Sequence, residues 1–316
     1  MTHRLTFGRD TRVNALLGAG HFLSHFYQLC LPPLFIAWQK DFGASFAELG
    51  LAIAVMAAAA ALMQTPMGFL VDRYGARPFL IFGTLMMALS IAAMGLATAY
   101  WQVVGLALLS GAGNSVIHPA DYAILSGSVG RARLGRSFAF HTFAGNVGFA
   151  AAPPATAALA LAFGWRGALL FVGLLGLPLV LTIIWQSRIL VDRARRPRDR
   201  AQPTTAGAKL LLSRSVMMFF AFFMVSAMAG VGIQSWLITI LHQMHGLAIE
   251  AASAALTGYM IGATGGILIG GWVADRTEHH LPFVVVLTIA RPRCCCSSPA
   301  SRSLNCQPSA CSLLPA

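Results

Sequence analysis

Charge is scarce in this chain. Only 10% of its 316 residues are Asp, Glu, Lys or Arg, where a soluble domain carries about 25%. The phosphate loop Gly-x-x-x-x-Gly-Lys-Ser/Thr is missing, so this chain alone does not hydrolyse ATP. His-Glu-x-x-His is missing too, which removes the common zinc hydrolases and leaves a non-enzyme with no cofactor and no metal as the expectation. Cysteine is nearly confined to the end: five of six lie beyond Arg291, and Cys294-Cys295-Cys296 lacks the spacing of zinc ligands. A cleavable leader is not expected either. The start is basic, but the apolar run after Val13 is too long and offers no small-x-small cleavage site.

What the chain has is apolar length. Apolar residues make up 57% of it, and stretches near membrane length fall at 13–38, 46–70, 78–99, 101–126, 137–162, 166–187, 215–241 and 251–274. A ninth begins near Leu281. About 20 apolar residues cross a hydrocarbon core as a helix, and short polar turns between them let every helix satisfy its own backbone. The expected fold class is an all-α membrane protein.

The net charge of +12 raises the question of nucleic acid. The basic residues are not interleaved with aromatics on one surface; they alternate by side. Arg4, Arg9 and Arg12 precede the first span, Arg73 and Arg77 follow the second, and Arg131, Arg133 and Arg136 follow the fourth. Eight more lie from Arg188 to Arg214, and Arg276 follows the eighth span, while only Lys40 and Arg166 fall on the opposite side. This is the positive-inside pattern with a cytoplasmic N-terminus. The charge sets topology against the membrane lipid, and no nucleic-acid partner is expected.

One signal is written twice. Gly68-Phe-Leu-Val-Asp72-Arg73-Tyr-Gly75-Ala-Arg77 and Gly271-Trp-Val-Ala-Asp275-Arg276 each place Gly-x-x-x-Asp-Arg where the chain leaves an apolar span, 203 residues apart. Two parallel halves of that length are a secondary-transporter architecture, roughly 400 residues when entire. The second copy has Glu278 where Gly75 stands in the first, and His280 where Arg77 stands.

The first copy resembles the loop 2–3 signature of the major facilitator superfamily. His21 and Leu31-Pro-Pro-Leu34 in the first span, Gly111-Ala-Gly-Asn-Ser-Val-Ile-His-Pro-Ala-Asp121 in the fourth, and Gly145-Asn146-Val-Gly148 with Pro153-Pro154 in the fifth resemble the fosmidomycin-resistance branch. The similarity covers residues 13–290. It implies that superfamily's helical bundle, with a complete six-helix N-terminal half at 1–187. A basic linker at 188–214 and a partial second half at 215–290, comprising helices 7, 8 and the start of 9, would follow. It further implies a secondary transporter in a bacterial inner membrane, an antiporter exporting small organic compounds or drugs in exchange for protons. Uptake by the same fold, and a truncated product that inserts without transporting, are the alternatives. By the same resemblance Asp72 and Asp275 would latch the gate by docking on helix N-termini, Asp275 near Ser137. Local capping beside Arg73 and Arg276 is the simpler alternative.

Residues 291–316 hold 15 Cys, Ser and Pro and are read as out of register with the rest, as an altered gene end would give.

Ionisable residues inside spans are costly and usually face a partner or a water path. Asp121 follows His118 by three, on one helical face, with Pro119 between them bending the helix. This pair is read either as a proton relay or as a structural pairing of Asp121 with Arg131 or Arg133. His21 and His25 lie at i, i+4, but no carboxylate or cysteine in their own span completes a metal site. His141 and Asn146, with Gln64 and Gln234, are the remaining cavity candidates. Gly258, Gly262, Gly266 and Gly270 form a small-residue seam suited to close helix approach.

Overall fold

The computed structural model describes residues 8–192 and 213–274. Asp275, Arg276, the ninth apolar stretch, most of the linker and the 291–316 tail lie outside the described residues. No strand occurs among those described.

The first apolar stretch is not one helix. α1 (Arg9–Leu29) ends at Cys30, Pro32–Leu34 form a 3-10 turn, and α2 (Phe35–Phe42) resumes the path. Pro32 and Pro33 have no N–H to offer, so the α-helical ladder cannot run through them. α3 (Phe46–Tyr74) starts with a reciprocal cap. The Glu48 N–H donates to Ser45 Oγ at 3.3 Å, and the Ser45 N–H donates to Glu48 Oε2 at 2.7 Å. One residue, Gly75, separates it from α4 (Ala76–Met94).

The fourth stretch also divides, into α5 (Tyr100–Asn114) and α6 (Ile117–Ser128). The break lies at Ser115–Val116, where the Ser115 carbonyl would need the N–H that Pro119 lacks. α7 (Leu134–Leu174) reverses at Gly164, whose φ of 69° and ψ of 166° divide the fifth and sixth stretches. α8 (Gly176–Trp185) completes the sixth. α9 (Arg214–His245) and α10 (Ile249–Ala274) follow.

Among the described residues, five helical stretches are long and apolar enough to cross a membrane: Phe46–Tyr74, Ala76–Met94, Tyr100–Ser128, Leu134–Trp185 and Arg214–His245. α1 is more polar because it carries Asn14, His21, Ser24 and His25. The largest wholly buried side chains include Tyr27, Phe35, Trp38, Leu80, Met87 and Ile117. Outward, Leu62, Phe69, Leu161 and Trp185 are each at least 72% exposed. An apolar surface of that kind is what hydrocarbon covers, and the molecule is a multi-pass membrane protein.

The chain divides into two compact units, Met1–Gly262 and Ala263–Ala316. Everything below concerns the first. Of the second, the described residues are 263–274, the last turns of α10. At Gly258 and Gly262 an added Cβ would meet no atom within 4 Å, so these two members of the glycine seam face open space.

Candidate functional site

Three helices bring the polar residues together. Gly145 and Gly148 on α7 let α1 approach closely: a Cβ at Gly148 would overlap the Phe22 carbonyl, and one at Gly145 would lie 2.6 Å from His21 Cε1. That approach puts the His21 ring on the His141 ring, stacked with centroids 3.8 Å apart and planes 6° from parallel. The His21 Nδ1–H donates to the His141 carbonyl at 2.7 Å. His25, one turn along α1, lies 4.2 Å from His21.

From α6 come His118, 5.1 Å from His21 ring to ring, and Asp121. Asp121 is wholly buried and faces His141, with Oδ2 3.6 Å from Nε2. That is too long for a hydrogen bond. Neither Asp121 oxygen has a hydrogen-bond partner, nor do His21 Nε2, His25 Nδ1, His118 Nδ1 or either nitrogen of His141. So many idle buried polar atoms are exceptional, because each costs about 1–3 kcal/mol when left unmet. A carboxylate in this setting requires a proton or a positive counter-charge. Arg133 does not supply one, since it pairs with Asp10 at 2.7 Å.

The fold thus joins His21, His25, His118, Asp121 and His141. His118 and His25 are partly accessible, with the other three buried behind them. Asn146 is half-buried on α7, and Gln64 is exposed on α3. Gln234 lines a neighbouring cavity of about 60 Å³ with Gln28, Asn114 and Phe149. The Phe149 ring touches His25, 4.2 Å between centroids, so the cavity wall adjoins the cluster.

Of the two copies of the repeated loop, the first lies among the described residues. Gly68, Asp72 and Arg73 lie on the last turns of α3, and Asp72 and Arg73 are exposed. A carboxylate from another stretch, Asp192, sits on the N-terminus of α4, accepting from the Ala76 N–H at 2.8 Å. Its place matches the positive end of α4. Arg77 Nε donates to the Leu190 carbonyl. Ser128 Oγ accepts from the Val191 N–H at 2.7 Å, and Arg12 donates twice to Gln186 Oε1. Arg9 reaches the Ile189 carbonyl at 3.1 Å. The stretch Gln186–Asp192 is therefore tied to the ends of α1, α4 and α6. Nothing in the sequence singled it out except an acid in a basic stretch.

At the opposite end, Asp41 accepts from Trp165 Nε1 at 2.8 Å and from Arg166 at 2.9 Å. These bonds, Trp165 first, hold its carboxyl below the usual range.

The Major Facilitator Superfamily profile matches residues 17–291. The chain belongs to the Major Facilitator Superfamily. The fosmidomycin resistance protein of Escherichia coli K12 is 25% identical over 83% of this chain and 65% of its own length. The probable L-galactonate transporter of the same strain is 30% identical, over 44% of this chain and 31% of its own. A crystal structure of a bacterial homolog to the human lysosomal transporter Spinster superposes with a TM-score of 0.72 at 17% identity. The match covers 86% of this chain and 64% of that one. The chain therefore spans less than two thirds of each of these relatives.

Proposed function

We propose that this superfamily member exports small organic compounds against an inward flow of protons across a bacterial inner membrane, with its N-terminus in the cytoplasm. The observation that carries the reading is Asp121, a wholly buried carboxylate facing His141 between α6 and α7. A buried acid beside imidazoles can accept and release a proton as the cavity opens to either side. His118 and His25 are the partly accessible members, and His25 touches Phe149 at the wall of the neighbouring cavity. Kinship to a resistance protein supports export. The distribution of Arg residues supports the orientation.

Uptake is the second reading, supported by kinship to a probable sugar-acid transporter. The Asp72 latch and the division into a six-helix half at 1–187, a linker at 188–214 and a second half from 215 belong to the same proposal.

The test is flux in inverted vesicles, with and without a pH gradient, for wild type and Asp121→Asn. Loss of gradient-driven flux with exchange of bound compound retained is the expected result. Full gradient-driven flux in the Asn variant overturns the role of Asp121. Flux in the reverse sense favours uptake.

A further inference from the structure

We propose that His21, His118 and His141, with Asp121 as the anionic fourth ligand, form a binding site for a divalent transition metal ion of the zinc class. One ligand atom from each of the three histidines lies within 4.8 Å of the others, and the residues come from α1, α6 and α7. Asp121 Oδ2 stands 3.6 Å from His141 Nε2. Two ligands on one tetrahedral zinc are separated by about 3.3 Å, as metal–nitrogen bonds of about 2.05 Å require. Binding therefore requires the ligand atoms to close from separations of up to 4.8 Å and the His21 and His141 rings to rotate out of their parallel stack, because each lone pair lies in its own ring plane.

The donor set suits such an ion and not a hard one, because imidazole favours zinc, nickel, cobalt and copper over magnesium and calcium. Each ligand has an unmet atom to offer: His21 Nε2, His118 Nδ1, one nitrogen of His141 and one oxygen of Asp121. His21 is also oriented from behind. Its Nδ1–H donates to the His141 carbonyl at 2.7 Å, which fixes the tautomer and leaves the buried Nε2 lone pair without a partner. A backbone carbonyl held by the second ring nitrogen is a recurrent support for a metal-ligating histidine. The ion brings the positive charge that a wholly buried Asp121 lacks. Entry is past His118, the partly accessible ligand. Spacing along α1 alone conceals the site, because the other ligands lie 97, 100 and 120 residues from His21.

A metal ion and a transported proton would compete for Asp121, so this site describes an alternative occupant of the same cluster, and its readouts are binding and melting, not transport. The full chain, purified in detergent without a polyhistidine tag, is titrated with Zn²⁺ and with Co²⁺, and Mg²⁺ serves as the hard-ion comparison. Expected are one Zn²⁺ per chain and a Tm rise of about 5 °C or more at saturation. Tetrahedral Co²⁺ absorption without a thiolate charge-transfer band is expected as well. His118→Gln and His141→Gln should each weaken Zn²⁺ binding about 10–100-fold, while His242→Gln on α9 leaves it unchanged. His118 is partly accessible, so its variant tests the site even where His141→Gln fails to fold. Retained stoichiometry and affinity in His118→Gln overturns the proposal. So does a sulfur-to-cobalt band, which would assign the ion to the cysteines beyond Arg291.

Discussion

Gly75 joins α3 to α4 alone, at φ 96° and ψ 152°. That corner of backbone space is essentially reserved for glycine, and another residue held there costs about 1–3 kcal/mol. In Gly75→Ala the new Cβ would also lie 3.3 Å from Asp192 Oδ2. The carboxylate would have to retreat a few tenths of an ångström, weakening its 2.8 Å bond to the Ala76 N–H. A helix cap of this type contributes about 1 kcal/mol, so the total expected loss is about 2–4 kcal/mol. With about 2–4 °C of Tm per kcal/mol for a domain of this size, the variant should melt about 4–16 °C lower. Near-ultraviolet circular dichroism of the detergent-solubilised chain reads the transition. Asp192→Asn alone should cost less, and the double variant should cost less than the sum, because both act on one contact. Unchanged melting in Gly75→Ala would refute the assigned backbone geometry. Strict additivity would refute the link through Asp192.

Gly148→Ala should destabilise by about 1–3 kcal/mol, since its methyl meets the Phe22 backbone and not a flexible side chain. The same forced separation of α1 from α7 should lower Zn²⁺ affinity, and native affinity in a folded Gly148→Ala chain would contradict the packing described. The Asp41 carboxyl is held below its ordinary value of 3.8, first by Trp165 and then by Arg166. A depressed folded value means this contribution is complete above the unfolded value and is lost as pH falls through the folded one. Asp41→Asn should therefore flatten the acid limb of a Tm-against-pH curve below about pH 4 and leave its slope at neutral pH unchanged.

Hydropathy and turn chemistry made the helical path legible. The reversal at Gly164 falls in the gap between the fifth and sixth apolar stretches, and Pro119 lies where its missing donor breaks the fourth. The Pro32-Pro33 interruption was visible in the residues, yet apolar length alone ran a single segment across it. The candidate site was legible only in part. His118 and Asp121 share a helical face by spacing, but their meeting with His21 and His141 depends on α7 glycines removing the Cβ atoms between helices. That is a property of packing between distant segments, and periodicity along one segment carries no record of it. Asp192 was hidden for the same reason: its partner is a backbone N–H, and any helix start offers one.

The ties at Gln186–Asp192 also fix where reach begins. Anything the chain carries onward is anchored at Asp192 and not at Trp185, because Arg9, Arg12, Arg77, Ala76 and Ser128 hold the intervening residues. Those seven residues, fully extended, would otherwise add about 24 Å of span at about 3.4 Å each. Shortening a tether confines what it bears to a smaller volume and raises its effective concentration at the bundle face. Under the proposed division into two halves, weakening two of these ties, as Ser128→Ala with Asp192→Asn would, should lower the effective concentration of the second half at the first.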